Sequence, residues 1–116
     1  PLWSRDASTH VALAADDAHL YHVGADDVLT QHDLDSGRAG WRQDKLAHRR
    51  LSAPLVFERW LVVGDAEGYV HVLSLEDGSL VARTRVDGAI VAAPINLGPG
   101  FAVQTVKGGV TAFKIQ

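Results

Sequence analysis

Leu61-Val62-Val63-Gly64-Asp65-Ala66-Glu67-Gly68-Tyr69-Val70-His71-Val72-Leu73-Ser74-Leu75-Glu76-Asp77-Gly78 reads as two apolar runs joined by one tight turn and closed by another. Leu61-Val62-Val63 is β-branched, too short for a helix, and stopped at once by Gly64-Asp65. Asp65-Ala66-Glu67-Gly68 supplies short polar side chains and a glycine able to take positive φ, the chemistry of a turn. Tyr69 to Leu75 is rich in aromatic and β-branched residues, as a strand prefers. The stretch therefore predicts a β-hairpin.

The hairpin recurs. At an offset of 40 residues, Pro54 falls on Pro94, Val63 on Val103, Gly68 on Gly108, Val70 on Val110, Leu73 on Phe113 and Leu75 on Ile115. Backwards at an offset of 41, Leu75-Glu76-Asp77-Gly78 falls on Leu34-Asp35-Ser36-Gly37, and Trp41 and Trp3 lie 38 apart. A period near 40 with several short strands per unit predicts an all-β chain of about three four-stranded antiparallel blades of a β-propeller. The units run over roughly 10–43, 52–86 and 91–115, with 2–5 as a stray outer strand.

Strands are expected at 2–5, 10–15, 19–23, 28–34, 40–43, 52–57, 60–63, 69–75, 80–86, 91–96, 101–104 and 110–115. The third unit then has three strands where the others have four. Only residues 43–51 could form a turn or two of helix, and they lack a sustained apolar stripe. Because propeller rings are often fastened by a strand from one end completing a blade at the other, residues 2–5 are expected to pair with the third unit of this chain or a neighbour. Apolar inner runs such as Ala89-Ile90-Val91-Ala92-Ala93 would leave Val, Ile and Leu exposed at the ends of so short an array. Self-association of the chain is therefore expected.

The 116 residues suffice for one modest core but not for a closed ring. A net charge of −3, from 11 Lys and Arg against 14 Asp and Glu, implies no basic surface for nucleic acid. The absence of cysteine removes disulfides, thiol nucleophiles and cysteine zinc sites. No apolar run approaches the roughly 20 residues of a membrane-spanning helix. The opening Pro1-Leu2-Trp3 begins in mid-pattern, as a piece cut from a longer protein would.

Trp41-Arg42-Gln43-Asp44-Lys45-Leu46-Ala47-His48-Arg49-Arg50-Leu51-Ser52-Ala53-Pro54, the string Gly64-Asp65-Ala66-Glu67-Gly68-Tyr69-Val70-His71, and Glu76-Asp77-Gly78 together closely resemble the BamB family of outer-membrane assembly lipoproteins. The similarity is continuous from Trp3 to Ile115. The resemblance implies an eight-bladed propeller of quinoprotein-type (PQQ-like) repeats, of which this chain is roughly the last third. It also implies a non-catalytic periplasmic scaffold, associated with the outer membrane of a Gram-negative bacterium. Such a scaffold binds the periplasmic domains of BamA and assists barrel insertion. Membrane attachment would come only through a lipid anchor on a cysteine that this chain does not contain, and the blades usually credited with the main BamA contact lie upstream.

Candidate chemistry is sparse. His10, His19, His22, His32, His48 and His71 could be metal ligands, but His19 and His22 fall on opposite faces of a strand and no carboxylate partner supports them. Strand-surface and loop histidines are the expected reading. Asp33 to Gly37 echoes the opening of a calcium loop without its later ligands, and Asp16-Asp17 and Asp26-Asp27 sit at turns. Gly64, Gly68, Gly108 and Gly109 are turn glycines, since neither Lys-Ser/Thr nor a helix follows. Trp3 and Trp41 hold equivalent repeat positions, which favours blade packing over ligand stacking.

Lys45, Arg49 and Arg50 form the one local basic cluster, in the loop before the second full unit. It is either a solvated loop or a rim contact to an acidic partner. No metal, no cofactor and no catalytic residue is expected, because no nucleophile–base set is present. The alternatives to a scaffold are a fragment of a quinoprotein dehydrogenase, which would need a calcium-and-quinone site in the funnel, or another ligand-binding propeller.

Overall fold

The computed structural model describes residues 12–114. Eleven strands form three antiparallel sheets laid side by side. The first sheet is a meander of β1 (Ala12–Ala15), β2 (His19–Val23), β3 (Leu29–Asp33) and β4 (Ala39–Gln43). The second repeats it with β5 (Leu55–Phe57), β6 (Trp60–Gly64), β7 (Tyr69–Ser74) and β8 (Leu80–Arg85). The third has β9 (Ile95–Asn96), β10 (Phe101–Gln104) and β11 (Val110–Phe113). Residues 43–51 contain turns and no helix.

The predicted hairpin is present, with Val63 opposite His71 and Gly64 opposite Val70. Gly68 closes its turn at φ +91°, and Gly108 closes the equivalent turn at φ +90°. An L side chain rarely adopts that conformation, so the 40-residue match of two glycines records a shared backbone need.

The middle sheet explains why the inner runs are apolar without interruption. Period-two alternation sends Leu61, Val63 and Leu73 into one core with Tyr21, Val23, Leu29 and Leu46. It sends Val62, Val70 and Val72 into a second core with Phe57, Ile90, Phe101 and Val103. Both faces of β6 are thus buried, while every residue of the outer strand β8 is exposed.

Identical links join successive sheets. The Ala66 amide donates to the Arg49 carbonyl, and one repeat later the Val106 amide donates to the Ala89 carbonyl. Trp41 reaches across from the first sheet, donating its indole N–H to the Leu75 carbonyl at 2.8 Å and lying against Gly78. It works there as blade packing.

Gly64, expected to be a turn glycine, instead ends β6 in register with Val70, and three further readings are corrected. The expected strand at 91–96 is reduced to Ile95–Asn96, because Ile90 alone enters the core while Val91, Ala92 and Ala93 are exposed. The expected strand at 52–57 shortens to Leu55–Phe57; Ser52 instead accepts the Gly64 amide on its hydroxyl and ties the loop to β6. His71, expected at the surface, is 1% exposed. The proposed pairing of residues 2–5 with the third sheet, and the placement of Trp3 and His10, lie outside the described residues.

Candidate functional site

The loop of residues 44–54 crosses from the first sheet to the second and brings Lys45, Leu46 and Arg49 against the face of β7 and β8. Leu46 anchors it, at 3% exposure within the core between the two sheets. A recess of about 350 Å³ lies beneath, lined by Lys45, Leu46, Arg49, His71, Val81 and Arg83 among others. Of the three basic candidates, Lys45 and Arg49 meet here. Arg50 is not among the lining residues. Its backbone takes φ +56°, and its amide donates to an Asp27 carboxylate oxygen at 3.0 Å. The neighbouring Leu51 amide donates to the other Asp27 oxygen at 2.9 Å, so Asp27 fixes the loop to the first sheet.

Asp65 organises the site. Its side chain is 0% exposed, a position that a carboxylate holds only when every lone pair is met. One oxygen accepts the amides of Glu67 and Tyr69 at 2.9 and 3.0 Å. The other accepts Nε2 of His71 at 2.8 Å and Nη1 of Arg49 at 3.4 Å. Burial alone would raise the Asp65 carboxyl; the His71 hydrogen bond and the Tyr69 and Glu67 amides outweigh it and hold the group below its ordinary value. Burial in turn lowers the His71 imidazole, against the pull of Asp65 and with help from Arg49 and Arg83. His71 is accordingly a neutral ring donating from Nε2, because an ionised carboxylate can only accept. The outcome is a buried anion that positions a half-buried guanidinium.

Around this anchor stands Tyr69. The guanidinium carbons of Arg83, Arg85 and Arg49 lie 4.7, 5.5 and 5.9 Å from its ring centroid. Arg83 and Arg85 project from the same face of β8 because they pair in register with His71 and Tyr69 on β7. Of these residues only His71 stands among the candidates the sequence offers, as one of six histidines; Asp65 reads there as a turn residue, and Tyr69, Arg83 and Arg85 carry no motif of their own. The available signal was parity: Tyr69 and His71 on one strand and Arg83 and Arg85 on the next alternate at a spacing of two, which aims each pair at one side.

The remaining candidates separate into packing and turns. Asp16 accepts the amides of Ala18 and His19, and Asp33 those of Asp35 and Ser36, so both close hairpin turns. His22 and His32 stack at 4.9 Å with Nδ1 and Nε2 at 3.0 Å, on the side of the first sheet away from the second. His19 lies on the opposite face, beside Tyr21. Among the described residues no group of three His, Asp or Glu side chains is placed to hold a metal ion. A second recess of about 420 Å³, bordered by Asp16, Arg59, Ser74 and Glu76, carries mixed charge and no comparable anchor.

A family model described as "Outer membrane protein assembly factor BamB" matches residues 25–116. The chain is 43% identical over 117 residues to the outer membrane protein assembly factor BamB of Burkholderia pseudomallei, covering 98% of this chain and 30% of that protein. Its structure is similar to BamB from Moraxella catarrhalis, with a TM-score of 0.83 at 23% identity over 89% of this chain and 30% of that one. It also shares its fold, with a TM-score of 0.70 at 20% identity, with a quinohemoprotein alcohol dehydrogenase from Pseudomonas putida, over 88% of this chain and 18% of that one. The chain spans about 30% of the length of the curated relatives it matches. With the family model covering most of its length, the chain belongs to the BamB family of outer membrane protein assembly factors.

Proposed function

We propose that the full-length protein is a non-catalytic periplasmic scaffold of the outer-membrane β-barrel assembly machinery, that it binds the periplasmic domains of BamA, and that this chain supplies about three blades of an eight-bladed ring. Family membership carries the proposal. The side-chain chemistry supports it. Among the described residues the one buried His–Asp pair, His71 and Asp65, is at most 2% exposed, and Asp65 is the one hydrogen-bond partner of the ring. A pair so enclosed and without a nucleophile serves structure, not proton transfer.

Within that scaffold, Lys45 and Arg49 present a rim contact, since a loop pinned by Leu46 and Asp27 offers its charges on a rigid support. The test is capture of BamA from solubilised outer membranes by the tagged full-length protein. Capture is expected, together with no quinone absorbance in the purified protein; no capture, or a bound quinone, would overturn the scaffold role. Lys45→Glu is the variant of choice for the rim, because Arg49→Glu would also place a second carboxylate against buried Asp65. Undiminished capture by Lys45→Glu would remove the rim contact alone.

A further inference from the structure

We infer that the arginine cradle over Tyr69 is a docking site for an acidic, aliphatic segment of a partner protein; the inference rests on the rim being a protein-contact surface. Arg49, Arg83 and Arg85 converge on one ring, and Lys45 lines the adjoining recess together with Arg49 and Arg83. Among the described residues neither Arg83 nor Arg85 has a carboxylate within ion-pair distance. Two anions lie close by. Asp65 is fully buried and already committed to His71, two amides and Arg49. Glu67 is 70% exposed and touches only the edge of Arg49, at 4.0 Å. The quadrupole of Tyr69 offsets part of the repulsion among the guanidinium groups but neutralises none of their charge. On a chain of net charge −3, a local excess of cations marks a place kept for an external anion.

The shape and lining narrow the choice. A guanidinium fork matches a carboxylate with two parallel hydrogen bonds. Beside the cations, Leu80 and Val81 are 39% and 49% exposed, and their apolar surface would gain nothing from a bare phosphate. The recess, at about 350 Å³, admits one or two side chains and no folded domain. Alternating glutamate or aspartate with leucine or valine satisfies both the forks and the apolar floor.

The experiment titrates the full-length protein with a fluorescein-labelled peptide of alternating glutamate and leucine, using its glutamine counterpart as the control. The glutamate peptide is expected to bind at least about tenfold more tightly, with an affinity that falls as salt rises. Arg83→Glu and Arg85→Glu, both on the exposed outer strand, are each expected to weaken it about tenfold. Arg42→Glu, an exposed arginine of the first sheet, should leave it unchanged. Equal binding of the glutamine peptide, or affinities within about twofold of wild type for both β8 variants, would overturn the inference. So would displacement by inorganic phosphate at concentrations that match the peptide, which would make the cradle a general anion site. Capture of BamA by the wild-type protein is read separately, so peptide binding without capture defeats the scaffold role and leaves the cradle standing.

Discussion

Val70 and Val110 hold the same place in consecutive repeats, yet Val70 is 1% exposed and Val110 is 69% exposed. The difference is the neighbour. Val70 points into the core shared with the third sheet, whereas Val110 stands on the third sheet's far side with no described sheet against it. Val70→Ala is therefore expected to lower the unfolding free energy of the chain by about 2 kcal/mol, through lost transfer energy and a residual cavity. Val110→Ala should change it by less than about 0.5 kcal/mol. Urea titration of both variants checks the pair, and equal losses would contradict the packing described.

Ile95, opposite Ala102 on the same third sheet, is 56% exposed, and Val91 and Leu97 in the flanking loops are 67% and 51% exposed. Apolar side chains exposed in such number are rarely left to water. The chain on its own is expected to self-associate at micromolar concentration, and Val110→Lys to shift it towards monomer. Light scattering decides, and a wild-type monomer throughout that range would refute the expectation.

Asp65 sits at the meeting of two amides, an imidazole and a guanidinium. Asp65→Ala removes the acceptor of four donors, one of them the buried His71 ring and the others half-buried, and is expected to cost about 3 kcal/mol. Lys45→Ala, at an exposed position of the neighbouring loop, should cost less than about 0.5 kcal/mol. Thermal unfolding of the two variants measures the contrast.

Trp41 and Gly78 make a matched pair across sheets. A Cβ on Gly78 would lie 2.4 Å from the indole Cε3, and its φ of +74° already disfavours an L side chain. Gly78→Ala is expected to destabilise by at least about 2 kcal/mol from clash and backbone strain together. Trp41→Phe removes one hydrogen bond to the Leu75 carbonyl, which keeps the Gln31 side chain as a donor, and should cost about 1 kcal/mol.

Acid should weaken the fold in two stages. His22 is lowered below its ordinary 6.5 by burial and by the adjacent His32, and His71 is lowered chiefly by burial. Each binds fewer protons folded than unfolded, so stability falls as pH drops below 6.5. Asp65 is depressed below 3.8, so its contribution is present above that value and disappears as pH falls through the lower folded value. Urea midpoints measured from pH 8 to pH 3 should decline through the first window, and His22→Gln should flatten part of that decline. A midpoint independent of pH between 8 and 5 would be inconsistent with both histidine environments.

The amino-acid sequence by itself determined the repeat, because turns are local: Gly68 and Gly108 need positive φ wherever they lie, and the runs around them alternate at the period of a strand. It also located the basic loop of Lys45 and Arg49. What it could not determine was burial at polar positions. Asp65 reads as a turn residue and is one, but its complete enclosure depends on the distant Arg49 and on His71 across the hairpin. Likewise Arg83 and Arg85 read as ordinary charges on an outer strand, until register with β7 sets them over Tyr69. Strand period and turn chemistry act over a few residues, so they are written in the chain. Desolvation and the convergence of charges act between segments far apart in it, and only the stacked sheets decide them.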